Sequence, residues 1–327
     1  MRRSFAWVFG FALAACLPML EAAAQPAKFP DRPLKMLVGF SAGGGTDVVA
    51  RIVALKMSET LGQTVVVENR SGASGLIAAE AVAKSPPDGY TLMMGSQTTL
   101  AVAPTLYRKT TLDPARDFAG IGMTAVSPLV LVVNPAFAAH SVKDVIAMAK
   151  AKPGAINFGS GGLGTTPHMC GELFSSVAGI KLAHVAYRGE APAINDLIGG
   201  QIPLMFANLS AVIGNVRAGQ LRALAVTGAQ RAAAAPEIPT VAEEGLPGFE
   251  AATWFALVAP AGTALDIRAR LNAEVKHALA QSDVKQRFAD LGMSAEDSTP
   301  DGLEAYIKSE IAKWTKVIKD ADIKAAE

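Results

Sequence analysis

The stretch LVGFSAGGGTD, residues 37–47, decides the fold. Its first four residues are an apolar run typical of a buried strand, and a helical pattern begins near Asp47. In a strand-to-helix turn of this kind, unpaired backbone N–H groups at the helix N-terminus attract an anion. Three consecutive glycines, Gly43 to Gly45, leave no Cβ between those groups and a ligand. The stretch therefore predicts an α/β fold with a small-anion cradle at one edge of a sheet.

A second turn of the same kind, GSGGLGTT at residues 159–166, follows the apolar run 155–158 and precedes another helical pattern. A third polar turn, residues 95–99, follows the strand predicted over residues 90–94 and is expected at the same sheet edge as the first turn. Two anion cradles in the two halves of one chain predict a clamp that closes on a ligand carrying a carboxylate.

Strand and helix patterns alternate along most of the chain, which predicts mostly parallel sheets flanked by helices. The extended segment 123–134 is expected to pass from a first lobe to a second, and the strand 253–258 to carry the chain back. We therefore predict lobe 1 from residues 28–127 plus 251–327 and lobe 2 from residues 128–250. The two connections form a two-segment hinge, which suits opening and closing.

Residues 1–24 have the pattern of a cleaved signal peptide. Two arginines precede an apolar run, and small residues with A-x-A spacing end at Ala24, so the mature chain is expected to be exported and to begin at Gln25. A minor alternative is a lipid anchor on Cys16, because residues 13–16 resemble a lipobox. No later run of about 20 apolar residues predicts a membrane span.

The composition excludes several classes of protein. Thirty Lys and Arg against 29 Asp and Glu give a net charge of +1, so no nucleic-acid-binding surface is predicted. Beyond the predicted signal peptide only Cys170 remains, and it is interpreted as a small buried helix residue with no disulfide partner. Half of the residues are hydrophobic, which is enough to fill the cores of two lobes.

Motifs for nucleotide binding and hydrolysis are incomplete. Val48 stands where a G-x-G-x-x-G fingerprint needs its third glycine, and neither turn contains Gly-Lys-Ser or Gly-Lys-Thr. An exported hydrolase with Ser160 or Ser74 as nucleophile and His168 as base remains an alternative, although neither serine lies in a G-x-S-x-G elbow. No spacing of His, Cys or carboxylates indicates a metal site, and no cofactor is predicted.

Two charged residues keep two interpretations each. Asp47 either complements the helix dipole in a purely structural way or orders the cradle. Arg188, at the end of the strand predicted over residues 182–187, either recognises a carboxylate through a bidentate hydrogen bond or is a solvated loop residue.

Short motifs are spread over nearly the whole mature chain. They are FPDRPL (29–34), GGGTD (43–47), VENRSGASG (67–75), PDGYTL (87–92), PTVAE (239–243), GLPG (245–248) and PAGT (260–263). Together, although not singly, they are specific: the chain closely resembles the Bug family of extracytoplasmic solute receptors, the substrate-binding components of tripartite tricarboxylate transporters.

The resemblance implies a two-lobed, type II periplasmic binding protein fold. It implies a monomeric periplasmic receptor, not an enzyme, that captures a small mono-, di-, tri- or aromatic carboxylate and delivers it to a membrane permease. A ligand sensor for a membrane kinase is a second alternative, beside the exported hydrolase. The ligand-binding residues that the resemblance implies are Ala42, Gly43, Gly44, Thr46, Asp47, Ser74, Ser96, Gly162, Gly164, Thr165, Thr166, His168, Arg188 and Asn208.

Three residues depart from the family pattern. Ala42 stands where relatives commonly have proline, Glu190 where a small residue is expected, and Ala207 where many relatives have aspartate. A carboxylate at position 207 would hold an ammonium or hydroxyl group of the ligand. Its absence predicts a plain organic or aromatic acid instead of an amino acid.

Overall fold

The structure is a computed structural model that describes residues 29–107, 110–187, 189–320 and 323. Its strands are β1 (Leu34–Val38), β2 (Val65–Asn69), β3 (Thr91–Ser96), β4 (Phe118–Val133), β5 (Asn157–Ser160), β6 (Ala183–Ala186), β7 (Leu204–Asn208), β8 (Arg222–Val226), β9 (Ala252–Pro260) and β10 (Ser294–Ala295). Its α-helices are α1 (Gly45–Leu61), α2 (Leu76–Ala83), α3 (Ala103–Leu106), α4 (Pro114–Asp117), α5 (Val142–Ala151), α6 (Thr166–Ala178), α7 (Glu190–Ile198), α8 (Leu209–Arg217), α9 (Leu265–Ala280), α10 (Ser282–Asp290) and α11 (Pro300–Asp320). A 3₁₀ turn spans Ala73–Gly75 and a π-helix spans Thr98–Val102.

The long strand β4 belongs to both parts of the sheet. Its residues 118–128 pair antiparallel with β9 in a first half-sheet of order β2-β1-β3-β9-β4, which β10 extends. Its residues 129–133 pair antiparallel with β7 and β8 in a second half-sheet that continues to β5 and β6. The chain passes into the second half-sheet along β4 and returns along β9.

The predicted α/β class is confirmed, and the pairing is more mixed than predicted. The outer strands pair in parallel, as β1 does with β2 and β3, and as β5 does with β6 and β7. The central strands pair antiparallel. The chain leaves the first half-sheet along β4 and re-enters it along β9, so these two strands run in opposite directions.

Four hydrophobic clusters cover the two faces of the two half-sheets. In the first half-sheet, Met36 and Leu37 point to opposite faces, one covered by α1, α9 and α10 and the other by α2 and α11. In the second, Leu131 and Val132 of β4 alternate in the same way between a face covered by α5 and α6 and one covered by α7 and α8. Each half-sheet is therefore a complete helix–sheet–helix sandwich.

Local sequence signals set several helix ends. Helix α1 ends before Gly62, whose φ of 68° is the left-handed C-cap expected of glycine. Helix α5 begins after Ser141, whose hydroxyl accepts a hydrogen bond of 3.1 Å from the Asp144 N–H. Among the helices of the described residues, none is long and apolar enough to cross a membrane. The predicted signal peptide and Cys16 lie outside these residues.

A buried carboxylate fastens the last helix to the first half-sheet. Glu310 of α11 is 6% exposed and accepts hydrogen bonds from the indole N–H groups of Trp254 at 2.8 Å and Trp314 at 2.9 Å. Both tryptophans are buried, so this carboxylate is the acceptor that keeps their N–H groups paired inside the core.

We predict that Glu310→Leu lowers the free energy of unfolding by about 2 to 5 kcal/mol, because it leaves two buried N–H groups without an acceptor. Urea denaturation measures the change. Glu310→Gln, which keeps one amide oxygen as acceptor, is the matched control and should lose less. Equal losses in the two variants would contradict this role.

Candidate functional site

The first glycine turn is held in place by Asp47. Its Oδ2 accepts hydrogen bonds of 2.9 Å from the Gly43 N–H and from the Arg51 guanidinium, and its Oδ1 accepts one of 2.9 Å from the Asn69 amide. Gly43 has a φ of 82°, a conformation that favours glycine. The carboxylate is therefore engaged on both oxygens by the turn and its neighbours, which is the geometry of a residue that orders the cradle.

Electrostatics keeps this carboxylate charged. Burial raises the pKa of Asp47, but the hydrogen bonds from Arg51, Gly43 and Asn69 outweigh burial and hold the pKa below its ordinary value. The Asn69 amide also donates 2.9 Å to the Phe40 carbonyl, so one side chain at the end of β2 fixes both ends of the turn.

The second glycine turn is organised by histidine and serine. His168 is 2% exposed, and its Nδ1 accepts a hydrogen bond of 3.1 Å from the Gly164 N–H. The Gly162 N–H donates to Ser160 Oγ at 3.1 Å, and the Thr165 hydroxyl donates to the Gly162 carbonyl at 2.8 Å. His168 thus supports the turn through a ring nitrogen.

Ser160 has a histidine partner, but it is not the predicted one. Its Oγ lies 2.7 Å from Nε2 of His184, whose ring stacks on His168 with 3.9 Å between centroids. Ser160 is fully buried. Its hydroxyl also donates a hydrogen bond to the Gly162 carbonyl and accepts one from the Gly162 N–H. Among the described residues, no carboxylate hydrogen-bonds His184. The pair therefore braces the turn and lacks the orienting acid and exposure of a catalytic nucleophile.

The 3₁₀ turn brings the two halves of the molecule into contact. Ser74 Oγ donates 3.3 Å to the Leu163 carbonyl of the second glycine turn and lies 3.0 Å from the Tyr107 hydroxyl. Ala73 and Ser74 have φ values of 46° and 54°, which non-glycine residues rarely adopt. Such strained backbone is concentrated at functional sites, where the surrounding structure holds it in place.

The π-helix after β3 contacts the other side of the same junction. Thr98 Oγ1 lies 3.4 Å from Thr166 Oγ1 at the start of α6, and Thr99 Oγ1 donates 3.0 Å to the Ser74 carbonyl. The backbone of Gly164 lies so close to the Leu106 side chain of α3 that a Cβ at position 164 would overlap it. Ser96, the last residue of β3, is 2% exposed beside this contact.

Asn208 and Glu190 form a separate network near the hinge. Glu190 accepts hydrogen bonds from the Asn208 N–H at 2.7 Å and its side-chain amide at 2.9 Å, while Asn208 Oδ1 accepts one of 2.8 Å from Thr253 of β9. Burial raises the pKa of Glu190 even though both bonds from Asn208 favour its charged form. Asn208 thus links the second half-sheet to the returning strand.

Most predicted site residues share one contiguous edge. The backbone at Gly39 touches Gly75, Ser74 touches Leu163, and Gly161 abuts the Glu190 backbone, so each turn borders the next. Ala42, Gly43 and Gly44 lie exposed there, whereas Thr46 is buried at the start of α1.

Arg188 lies outside the described residues. Ala207 is fully buried in a core, and the preference predicted from its lack of a carboxylate stays a prediction.

Gln97, which the sequence analysis did not single out, belongs to the same edge. It follows β3 directly and is fully buried, yet neither Nε2 nor Oε1 has a hydrogen-bonding partner among the described residues. Its position within the polar run 95–99 was the only available signal, and that run alone does not distinguish it from Ser96 or Thr98.

Two half-sheets joined by two strands, with their glycine turns linked through the turn at Ser74, define a two-lobed solute-binding protein. Residues 49–323 match the model of the tripartite tricarboxylate transporter family receptor. The chain belongs to this family, and the resemblance noted in its sequence is confirmed.

Individual relatives agree with this assignment. Protein BugT of Bordetella pertussis is 39% identical over 297 residues, which are 90% of this chain and 91% of BugT. A solved structure from R. palustris with adipate is 38% identical with a TM-score of 0.85, covering 91% of this chain and 100% of that one. MatC from Rhodopseudomonas palustris, solved with bound malate, is 32% identical with a TM-score of 0.81, covering 89% and 100%.

We predict a pH-dependent contribution of His184 to stability. Burial, and secondarily the neighbouring His168, lower the pKa of His184 from 6.5 to about 3. The unfolded chain therefore binds a proton between these values that the folded protein does not, so this contribution is present above pH 6.5 and is lost as the pH falls. Relative to His184→Gln, the wild type should lose about 1 to 2 kcal/mol of unfolding free energy between pH 8 and pH 5.

Urea denaturation across this pH range measures the difference between the two proteins. His277→Gln, at an exposed histidine, controls for the substitution itself and should change the free energy of unfolding at pH 8 by less than about 0.5 kcal/mol. Parallel pH curves for wild type and His184→Gln would show that the ring is not kept neutral by the fold.

Proposed function

We propose that this chain is a periplasmic receptor that holds a small organic carboxylate between two lobes and delivers it to a tripartite tricarboxylate-type permease. The observation that carries the proposal is a helix N-terminus without a side-chain cap in each half-sheet, with the turns that precede the two helices linked through the turn at Ser74. Membership of the receptor family supports it, as do relatives solved with adipate and with malate.

The donors we assign to the carboxylate come from the first turns of α1 and α6. Neither helix has a side-chain cap. The first N–H groups of a helix have no intrahelical acceptor, which leaves those of Gly45 and Thr46 on one side and Thr166 on the other. The amides of Gly43, Gly162 and Gly164 donate to side chains within the turns, so these glycines serve the ligand by letting the backbone come close.

We propose that the lobes are residues 28–127 plus 251–327 and residues 128–250, and that they close over the ligand. Opening would break the contacts of Ser74 with Leu163 and of Thr98 with Thr166, together with the packing of Met169 in the cluster that contains Leu106. The two hydrogen bonds join neutral groups and are worth about 1 kcal/mol each, and a ligand that binds the closed form more tightly favours closure.

The proposed role is binding without chemical conversion. The buried Ser160–His184 pair supports this, because its hydroxyl is already occupied by the turn. The proposed receptor is a monomer that works with membrane permease subunits and needs no cofactor, and the balanced charge argues against a nucleic-acid partner. A sensor acting on a membrane kinase would bind the same class of ligand, and capture of permease subunits from membranes separates the two roles.

We predict that binding depends on the ligand carboxylate. At a free ligand concentration of 100 times Kd, a carboxylate should add about 2.7 kcal/mol to stability, and the corresponding amide should add little, because it cannot form charge-assisted hydrogen bonds. Thermal shift with adipate, malate and an aromatic acid, each beside its amide, is the measurement. Equal shifts from acids and amides would overturn the proposal.

We further predict that Gly44→Val abolishes the shift while the protein stays folded. Gly44 has an ordinary extended backbone with φ −76° and ψ 166°, and a Cβ there meets only the Ser41 carbonyl, at 3.4 Å. The added side chain therefore enters otherwise open space beside the proposed donors of Gly45 and Thr46, without straining the turn. Gly214→Val on α8, where a Cβ meets nothing within 4 Å, is the matched control and should bind normally. Undiminished binding by Gly44→Val would place the ligand elsewhere.

The export proposal has its own test. Intact mass of the protein recovered from the periplasm should correspond to a chain that begins at Gln25. A species that begins with a lipid-modified Cys16 would instead place the receptor on a membrane face.

A further inference from the structure

The most informative side chain outside the described hydrogen-bond networks is Gln97. It lies between the last residue of β3 and the π-helix, and its relative exposure is 0%. Among the buried side-chain nitrogen and oxygen atoms of the described residues, only its Nε2 and Oε1 lack a hydrogen-bonding partner. Burying one unpaired polar atom costs about 1 to 3 kcal/mol, and this side chain has two.

The surroundings of Gln97 are those of the ligand edge. The next residue, Thr98, contacts Thr166 at the N-terminus of α6, and Thr99 holds the strained turn at Ser74. On the other side, β3 runs parallel to β1, so Gln97 leaves the sheet beside the turn that leads into α1. The π-helix that begins at Thr98 is a rare structure that occurs frequently at functional sites.

We propose that Gln97 is the residue that selects the ligand, and that it selects an α-hydroxycarboxylate. This inference rests on the proposed function. On one edge the primary amide presents an Nε2–H donor beside the acceptor Oε1, and Nε2 carries a second N–H. An α-hydroxycarboxylate presents the matching pair, because its carboxylate oxygen accepts from Nε2 and its hydroxyl donates to Oε1. Both orphaned atoms are then satisfied by one ligand.

Other acids match this amide less well. A plain carboxylate has acceptors only, so it pairs with Nε2 and leaves Oε1 facing either an apolar chain or a second negative oxygen. An α-amino acid has a donor, but its ammonium needs a carboxylate partner once it leaves water. The carboxylates that border the turns, Asp47 and Glu190, already accept hydrogen bonds from two or more protein groups. The hydroxyl, a neutral donor, suits the neutral acceptor of Gln97.

The experiment compares pairs of acids that differ by one α-hydroxyl, using isothermal titration calorimetry on the mature protein. The pairs are propionate with lactate, succinate with malate, and adipate with 2-hydroxyadipate, the hydroxy acids as separate enantiomers, and aspartate is the amino-acid probe. We expect the wild type to prefer the hydroxy acid of the best-bound pair by at least about 10-fold, and to bind it more tightly than aspartate.

Substitutions at position 97 test whether this preference comes from the amide. Gln97→Leu keeps the bulk and removes donor and acceptor, so it should weaken the hydroxy acid by about 10- to 100-fold and bring the ratio within the pair close to 1. Gln97→Glu places a negative charge against the carboxylate and should weaken both acids. The exposed Gln286→Leu is the matched control and should leave both affinities unchanged.

The outcomes separate this inference from the function on which it rests. A wild type that binds plain acids as tightly as hydroxy acids, or that prefers aspartate, overturns the role of Gln97 and leaves a carboxylate receptor. A preference that survives in Gln97→Leu places the selecting group elsewhere and also overturns it. Binding of none of the probes, with the protein shown to be folded by its thermal transition, argues against the carboxylate function itself.

Discussion

The antiparallel pairing of β4 with β9 is the constraint on which the rest of the structure depends. These two strands are the only connections of the described chain between the half-sheets, and they pair from Phe118 with Pro260 to Pro128 with Ala252. Because β4 continues unbroken into the second half-sheet, the glycine turns on the two sides are carried by one backbone ladder. In the proposed closure, a bend in these strands near residue 128 would change the separation of the turns while both sandwiches stay intact.

Buried polar groups are used here mainly as internal supports. Asp47 orders the first turn, His168 and Ser160 order the second, and Glu310 fastens the last helix. In each case the group is hydrogen-bonded as fully as its chemistry demands, which is how buried charge becomes compatible with a stable core. Gln97 is the exception within the described residues, because neither polar atom of its buried side chain has a partner in the protein. This contrast is the reason for proposing a role in ligand binding.

Much of the fold could be predicted from sequence, because its signals are local. The apolar run before Gly43 and the glycine at position 62 set the ends of β1 and α1 through short-range sterics. The hydrogen-bonding partner of each polar group in the turns could not be predicted in this way. That Ser160 meets His184 instead of His168 depends on the pairing of β5 with β6, which brings together residues 24 positions apart. The pairing of β7 also decides which of its neighbouring side chains faces the core. Ala207 is buried in the core, while the next residue, Asn208, bonds Glu190.

The way the chain is threaded also determines the order in which it can fold. Strand β9, from the last quarter of the sequence, lies between β3 and β4 in the first half-sheet, so that half-sheet cannot close until residues 252–260 are present. All strands of the second half-sheet, including the shared strand β4, are present once the chain reaches Val226. Contacts of such long sequence separation form slowly. As the chain emerges from its N-terminus, the second half can therefore assemble first, while the N-terminal strands wait with one edge unpaired, a period in which a holding chaperone would protect them from aggregation.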